Sequence, residues 1–418
     1  MSSPLSDPGD VATCGPPERL RVMRIISRMN VGGPARHVAI LHRGLDPKRF
    51  EPVLVYGAEG SNEGTLRELV GDASDTVSIP ELGREISPVA DSVTLVRLVR
   101  LMRKTRPHVV HTHTAKAGFV GRLAARITGV PVIVHTFHGH VFHGYFSPRK
   151  TATFLRLERF CAGFSSRLVT ISPRLREEIA AYGVAGTSRI EVVPLGLHLA
   201  PHAAHPRRDG AFRRDLGIGD DAFLIGAVGR LVPIKNLELL LEAASVARGR
   251  VPHVQVVFVG DGELRAALAA RAAALGLADA VTFAGWRSDL PAVYADLDAT
   301  IISSHNEGTP ACLIEAMASG CPVIATRVGG VPDMIEAGIT GQLTPPGDAT
   351  ALAAAIVNLV NEPDQARRMA DQARGEALAR YDEPRLVTDM ERLYGQLARE
   401  AGLPGWGEPG RSGRGAHH

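Results

Sequence analysis

Ser303-Ser304-His305-Asn306-Glu307-Gly308-Thr309-Pro310-Ala311-Cys312-Leu313-Ile314-Glu315-Ala316-Met317-Ala318-Ser319-Gly320-Cys321-Pro322-Val323-Ile324-Ala325-Thr326 follows one apolar run, Leu297 to Ile302, and closes on another, Val323 to Ala325. The first run reads as a buried strand. Pro310 suits the opening of a helix, where its fixed φ fits the first turn and its missing N–H would go unpaired. The segment therefore reads strand, loop, helix, strand, the unit of a parallel sheet. Glu307 falls in the strand-to-helix loop. Glu315 falls more than a turn inside the helix, on the polar side of a stripe that includes Leu313, Ile314 and Met317. At Gly308-Thr309-Pro310 the free amides of the first turn, from about Gly308 onward, offer a cradle for anions and hydroxyls, and the two carboxylates offer strong acceptors. Acceptors beside an anion-binding helix end suit a sugar joined to a phosphate.

The same rhythm runs outward from this segment. Strand-like runs at Val22–Ile26, Val53–Tyr56, Val109–His111, Val132–Thr136, Leu168–Ile171 and Ile190–Val193 alternate with helical stretches in the first half. The pattern breaks at Leu195 to Gly210, where two prolines, histidines and charges replace the apolar runs, which reads as an interdomain linker. It restarts with Phe223–Val228, Val254–Val259, Val281–Phe283, Ala299–Ile302 and Val323–Ala325. Two doubly wound α/β domains in tandem follow, in keeping with a chain of 418 residues. A last amphipathic helix, Glu383 to Ala401, carries Leu386, Val387, Met390, Leu393, Tyr394 and Leu397 on its apolar side.

Four scattered cysteines without a CxxC pair suggest neither a disulfide framework nor a zinc site, and point to a reducing compartment. The first 18 residues lack the basic and apolar regions of a signal peptide, and no apolar run reaches membrane-spanning length. The net charge of +3 hides an asymmetry: residues 1–200 hold 26 Lys+Arg against 17 Asp+Glu, a balance of +9, which leaves −6 for the rest. Between Asp91 and Glu158 there are eleven cations and no acid. Such a stretch favours an anionic partner or an anionic membrane surface.

Three further groups carry chemistry. Arg230 follows the strand Phe223–Val228 and Lys235 opens the next helix, so both cations lie outside the C-terminal end of a parallel strand, where open α/β sheets bind ligands. A forked guanidinium and a mobile ammonium are a sensible pair for a diphosphate. Gly32 and Gly33 lie between the first strand and the first helix, where the backbone can approach a phosphate closely. His111, His113, His135, His138 and His140 cluster after two neighbouring strands, but no carboxylate lies near them and no thiolate is at hand, so no metal site is expected. His113 and Lys116 face either an acceptor or solvent. Trp286 is either a contact to a ligand or a core residue.

The quoted segment, with its Glu-Gly-x-Pro opening, Glu-Ala-Met-Ala core and Gly-x-Pro-Val-Ile-Ala exit, resembles the Glu-x7-Glu motif of the retaining family 4 glycosyltransferases, such as the CapM-like polysaccharide glycosyltransferases. Gly229-Arg230 through Lys235 resembles their diphosphate-binding Gly-Arg-x4-Lys. The resemblance implies a GT-B fold, two Rossmann-like doubly wound domains facing across a cleft. It implies catalytic roles for His138, beside the transferred sugar, and for Glu307. Donor contacts then fall to Gly32, Gly33, Arg230, Lys235, Trp286, Glu307, Gly308, Thr309, Pro310 and Glu315, and acceptor contacts to His113 and Lys116. The implied reaction is metal-independent and retaining, and moves a sugar from a nucleotide-diphosphate sugar to a hydroxyl.

The expected boundaries are residues 1–19 disordered, 20–195 the acceptor domain, 196–382 the donor domain, 383–402 a helix packing back on the first domain, and 403–418 a disordered tail. No cofactor is expected, and UDP-sugar is favoured over GDP-sugar as the donor substrate. The expected acceptor is lipid-linked or a saccharide, in surface polysaccharide or glycolipid assembly, with an anionic membrane surface as partner and no nucleic acid. Such a protein would be cytoplasmic, peripheral on the inner face of the plasma membrane. A transferase for a soluble acceptor, a nucleotide-sugar epimerase and a non-catalytic binding protein are the competing readings.

Overall fold

A computed structural model describes residues 19–30, 32–58, 69–70, 75–83, 87–139 and 148–406. The first domain runs β1 (Leu20–Ile26), α1 (Gly33–Gly44), β2 (Phe50–Tyr56), β3 (Thr76–Ser78), α2 (Pro88–Thr105), β4 (Val109–His113), α3 (Ala115–Thr128), β5 (Val132–Phe137), α4 (Pro148–Phe164), β6 (Arg167–Thr170), α5 (Pro173–Ala181) and β7 (Ile190–Val192). Two short helices, α6 (Ala200–Ala204) and α7 (Ala211–Leu216), lead into the second. That domain holds β8 (Phe223–Val228), α8 (Leu237–Arg248), β9 (Val254–Val259), α9 (Arg265–Ala274), β10 (Val281–Gly285), α10 (Leu290–Asp296), β11 (Ala299–Ile302), α11 (Ala311–Ala318), β12 (Val323–Thr326), β13 (Gln342–Thr344) and α12 (Ala349–Asn361). The chain ends in α13 (Pro363–Tyr381) and α14 (Glu383–Glu400).

Both sheets are parallel throughout, in the orders β3-β2-β1-β4-β5-β6-β7 and β10-β9-β8-β11-β12-β13. The central strands are buried on both faces because helices cover both: β4 and β5 are buried along their whole length, their polar C-terminal halves included. Two of the four edge strands, β3 and β13, three residues each, have no apolar run to announce them. Helix α13 was likewise hidden, since its core face is mostly alanine: Ala366, Ala370, Ala373 and Ala377.

The expected linker, Leu195 to Gly210, is not loose. It contains α6, and Leu197 and Leu199 pack with Phe212, Leu313 and Met317 in the core of the second domain. The chain crosses between domains twice, and the crossings are bonded to each other: the Leu197 amide donates to the Tyr381 carbonyl at 2.8 Å and the Glu383 amide to the Leu197 carbonyl at 3.0 Å. From there α14 returns to the first domain, where Leu386, Met390, Leu393, Tyr394 and Leu397 cover Leu20, Val22, Phe50, Val109 and Val132.

The tail expected to be disordered from 403 is corrected in its first residues. The Trp406 ring packs tilted against the Phe50 ring, centroids 5.5 Å apart, with the Arg49 guanidinium 5.1 Å from its own ring. Aromatic area outweighs the local Gly and Pro content there. Residues 1–18 and 407–418 lie outside the described residues. No helix among the described residues is long and apolar enough to cross a membrane.

Among the polar contacts that hold α14 on the first domain, the one at Tyr394 is fully buried. Tyr394 Oη lies 2.7 Å from His111 Nδ1, while His111 Nε2 lies 2.7 Å from Thr136 Oγ1, and all of it is buried. Tyr394→Phe leaves a buried imidazole nitrogen unpaired, which costs about 1–3 kcal/mol. A lower urea midpoint than wild type is the expected outcome, and an unchanged midpoint would show that the contact contributes nothing.

Candidate functional site

In each sheet the chain turns back on itself beside the first strand of its domain, between β1 and β4 and between β8 and β11. A crevice opens outside the strand ends at such a switch point, and that is where open α/β sheets bind ligands. In the second domain the two loops at this crevice are laced together. Lys235 Nζ lies 2.7 Å from Glu307 Oε1, and Ser304 Oγ donates to the same oxygen at 2.6 Å. Ser303 Oγ donates to the Lys235 carbonyl at 3.1 Å, and the His305 amide to the Ile234 carbonyl at 2.9 Å. Gly229, Arg230, Lys235, Ser303, Ser304 and Glu307 line a hollow there. Arg230 is exposed and has no ion pair among the described residues.

A second loop holds Glu307 from behind, and sequence reasoning missed it. The Gly330 amide donates to the Glu307 carbonyl at 2.9 Å. A Cβ on Gly330 would sit 2.1 Å from the Gly308 oxygen, and one on Gly329, at φ +51°, 1.7 Å from the Glu307 oxygen. Only glycine allows so close an approach. The signal was legible: Gly329-Gly330 follows β12 as Gly32-Gly33 follows β1.

Glu315 is corrected from the polar face of α11 to the interior, with 8% exposure. Tyr294, from α10, donates its hydroxyl to Glu315 Oε2 at 3.0 Å, and Arg36 of the first domain reaches within 3.9 Å of Oε1. Burial pushes the carboxyl above its usual range, against the pull of Tyr294 and Arg36. Arg36 and Glu315 face each other across an interdomain cleft of 1210 Å³ that Ser288 and Leu290 also line. Trp286, two positions before Ser288, is 66% exposed, which excludes the core alternative. Its neighbour Arg287 is clamped by Asp215 and Asp289 and lies over Phe212. Pro310 sits one position earlier than expected, at the N-cap of α11.

A further cleft of 470 Å³ brings Glu307, Gly308 and Thr309 opposite Gly139, Ser172 and Arg174 of the first domain. His138 precedes Gly139. It lies 3.0 Å from His113, Nε2 to Nδ1, and its ring is 4.9 Å from that of His37. Desolvation lowers its pKa to about 4, so it is neutral at physiological pH. Desolvation also holds His37, His111, His113 and His135 well below the ordinary histidine range, with the Arg24 charge adding to it at His37, His111 and His113.

The two residues expected on the acceptor side are not open to an acceptor. His113 is fully buried against His138. Lys116 Nζ is 2.8 Å from Asp91 and donates to the Glu81 carbonyl at 3.2 Å, with a side chain 8% exposed; it ties α3 to α2. An amphipathic helix start hid this role, because Asp91 lies 25 residues back in the chain. At the glycine loop, a Cβ on Gly33 would meet nothing within 4 Å and one on Gly32 only atoms at 3.9 Å or beyond, so the space before the loop is open. His140 lies outside the described residues.

The buried imidazoles make stability depend on pH. Their folded pKa values are lowered, so the unfolded chain binds more protons and the stability they contribute is complete above about 6.5 and lost as pH falls below it, by roughly 1.4 kcal/mol per pH unit for each fully buried histidine. Thermal unfolding should therefore show a melting temperature that drops between pH 7 and pH 5, before most carboxylates titrate. A flat profile over that range would contradict the buried neutral cluster.

Comparison with known proteins follows the same division of the chain. Residues 32–196 match the family described as "Glycosyl transferase 4-like domain", and residues 209–376 that described as "Glycosyl transferases group 1". The Escherichia coli UDP-Gal:alpha-D-GlcNAc-diphosphoundecaprenol alpha-1,3-galactosyltransferase is 30% identical over 302 residues, which is 72% of this chain and 78% of that one. The capsular polysaccharide biosynthesis glycosyltransferase CapM of Staphylococcus aureus is 24% identical, over 80% of this chain and 89% of its own. Among solved structures, Anabaena HepE in complex with UDP superposes with a TM-score of 0.78 at 21% identity, covering 90% of this chain and all of HepE.

Proposed function

The chain belongs to the glycosyl transferases of group 1, with a GT-B fold, and from that premise we propose that it moves a sugar from a UDP-sugar to a hydroxyl of a lipid-linked acceptor, with retention at the anomeric carbon and without a metal ion. The observation that carries this reading is the Lys235–Glu307 pair beside a free Arg230 at the switch point of the second domain. Lys235 gives one of its three donors to Glu307, and the others remain for phosphate oxygens.

In the reaction the bond between C1 of the sugar and the donor phosphate oxygen breaks, and its electron pair leaves with the nucleoside diphosphate. Arg230 and Lys235 are fixed where that negative charge develops, so they stabilise the transition state in the role a metal ion plays elsewhere. The acceptor hydroxyl attacks C1 on the face the phosphate leaves, and its proton passes to a phosphate oxygen of the leaving group. Glu307 and the amides at Gly308 and Thr309 hold sugar hydroxyls, while Glu315 holds those of the ribose. Neutral His138 and its carbonyl face the carbon that becomes cation-like. The Gly32-Gly33 loop and its open foreground admit the diphosphate from the other domain. UDP as the nucleotide is supported by the donor of the E. coli relative and by UDP in HepE.

Isothermal titration with UDP-, GDP- and ADP-sugars tests the donor. Selective binding of UDP-sugars is expected, weakened about 10–100-fold in Arg230→Ala, as for loss of a charge-assisted phosphate contact, and the transferred product should keep its anomeric configuration and form in the presence of EDTA. Absence of binding by every nucleotide-sugar would move a non-catalytic role to the front.

A surface of the first domain supports the acceptor. Helix α2 divides its apolar residues: Leu98 and Met102 are buried, whereas Val89, Val93 and Val96 are exposed and continue into Arg100, Arg103 and Lys104, which have no ion pair among the described residues. Apolar residues followed by free cations along one helix face suit shallow contact with anionic lipid. This supports a peripheral position on the inner face of the plasma membrane, for which the E. coli relative's diphosphoundecaprenol-linked acceptor offers a model. Stronger binding to anionic than to neutral vesicles at low salt is expected; equal binding would favour a soluble acceptor.

A further inference from the structure

We propose that His37, His113 and His138 form a binding site for one first-row transition-metal ion of the Zn2+ type, on the first-domain wall of the cleft. The three come from α1, the end of β4 and the residue after β5, so the switch point of the first sheet gathers them although they are 25 to 101 positions apart. Each offers a ring nitrogen, and these atoms lie within 4.8 Å of one another. A tetrahedral ion with bonds of about 2.0–2.1 Å needs ligand atoms roughly 3.4 Å apart. His113 Nδ1 and His138 Nε2, at 3.0 Å, are already near that separation, and rotation of His37 about its side chain supplies the rest.

The unbound cluster leaves polar atoms without partners. His37 Nδ1 and Nε2 and His113 Nε2 are buried with no hydrogen-bond partner among the described residues. An orphaned buried nitrogen is costly, and the ion would give one of the two His37 nitrogens its partner. Of the two facing nitrogens, His113 Nδ1 and His138 Nε2, one carries the proton of their hydrogen bond, so an ion entering between them moves that proton to the other nitrogen of its ring or to solvent. His138 is the member that reaches the surface, and Gly139 beside it lines the cleft, which gives an ion its way in.

The surroundings select the ion. Only imidazole nitrogen is offered, which suits Zn2+, Cu2+, Ni2+ and Co2+ and not Mg2+ or Ca2+. The facing groups are the His111 ring, 4.2 Å from that of His113, and the buried Arg24 guanidinium, whose charge opposes a dication. Affinity is therefore lower than in a site that includes a carboxylate or thiolate. Occupation would fix the His138 ring and set a dication on the first-domain wall beside the reacting sugar, so the ion would inhibit transfer while leaving the diphosphate site of the second domain intact. That consequence rests on the sugar-transfer reading; the binding of the ion does not.

The test uses the full chain after chelator treatment, carrying His417→Ala and His418→Ala so that the terminal histidine pair contributes nothing. Titration with Co2+ should give saturable visible absorption at one equivalent, bleached by Zn2+ and untouched by Mg2+. His37→Gln and His113→Gln should each weaken Co2+ binding at least about 10-fold, by the scale of lost metal-site contacts, whereas His202→Gln, at a buried histidine elsewhere, should not. Zn2+ should raise the melting temperature of the parent and not of the two variants, which checks that each variant is folded. No saturable Co2+ signal in the parent, or equal affinity in both variants, would overturn the proposal. A UDP-sugar titration repeated with Zn2+ present separates the two claims: undiminished nucleotide binding beside a Co2+ signal supports both.

Discussion

The contact between Lys235 and Glu307 is the joint on which the second domain's rim is built. It closes the crevice between β8 and β11 and fixes the loop after each strand by the loop after the other. The pair is largely shielded from water, with side chains 23% and 11% exposed, so its main consequence is placement rather than net stability. With the carboxylate held by an ammonium and a serine hydroxyl, the Glu307 backbone is free to be gripped by Gly330, and the amides that follow run into the start of α11. Arg230 stands on the same rim with no ion pair among the described residues, poised for an anion from outside.

What sets the two rims against each other is the way the chain crosses and returns. The bonded crossings at Leu197, Tyr381 and Glu383 form one compact hinge, and α14 carries the polypeptide back over β1, β4 and β5. That return buries His111 under Tyr394 and completes the dry environment in which the neighbouring imidazoles stay neutral. The fold thus prepares opposite chemistry on the two sides of the cleft, fixed charges on the second domain and neutral nitrogens on the first. Arg36 is the exception: it crosses the gap and meets Glu315.

Much of this was legible in the sequence because ligand-facing residues of parallel sheets lie in loops directly after strands, and apolar runs locate the strands. Arg230, Lys235 and Glu307 were found by that route, and the structure brings the three together. The failures share one cause, dependence on a partner distant in sequence. Glu315 looks polar on a helical wheel, yet Tyr294 and the core around α11 bury it. Lys116 looks available, yet Asp91 takes it. His37 carries no signal in the sequence, since only the fold brings α1 beside β4 and β5. The edge strands β3 and β13, three residues each, are too short to carry an apolar run, and only their pairing reveals them.

The most direct test of the arrangement at the switch points is a crystal structure with a UDP-sugar bound. The diphosphate should lie within hydrogen-bond distance of Arg230 and Lys235, with the ribose on Glu315 and the sugar on Glu307, between the second domain and the Gly32-Gly33 loop. A nucleotide seated elsewhere, with Lys235 and Arg230 facing solvent, would contradict it.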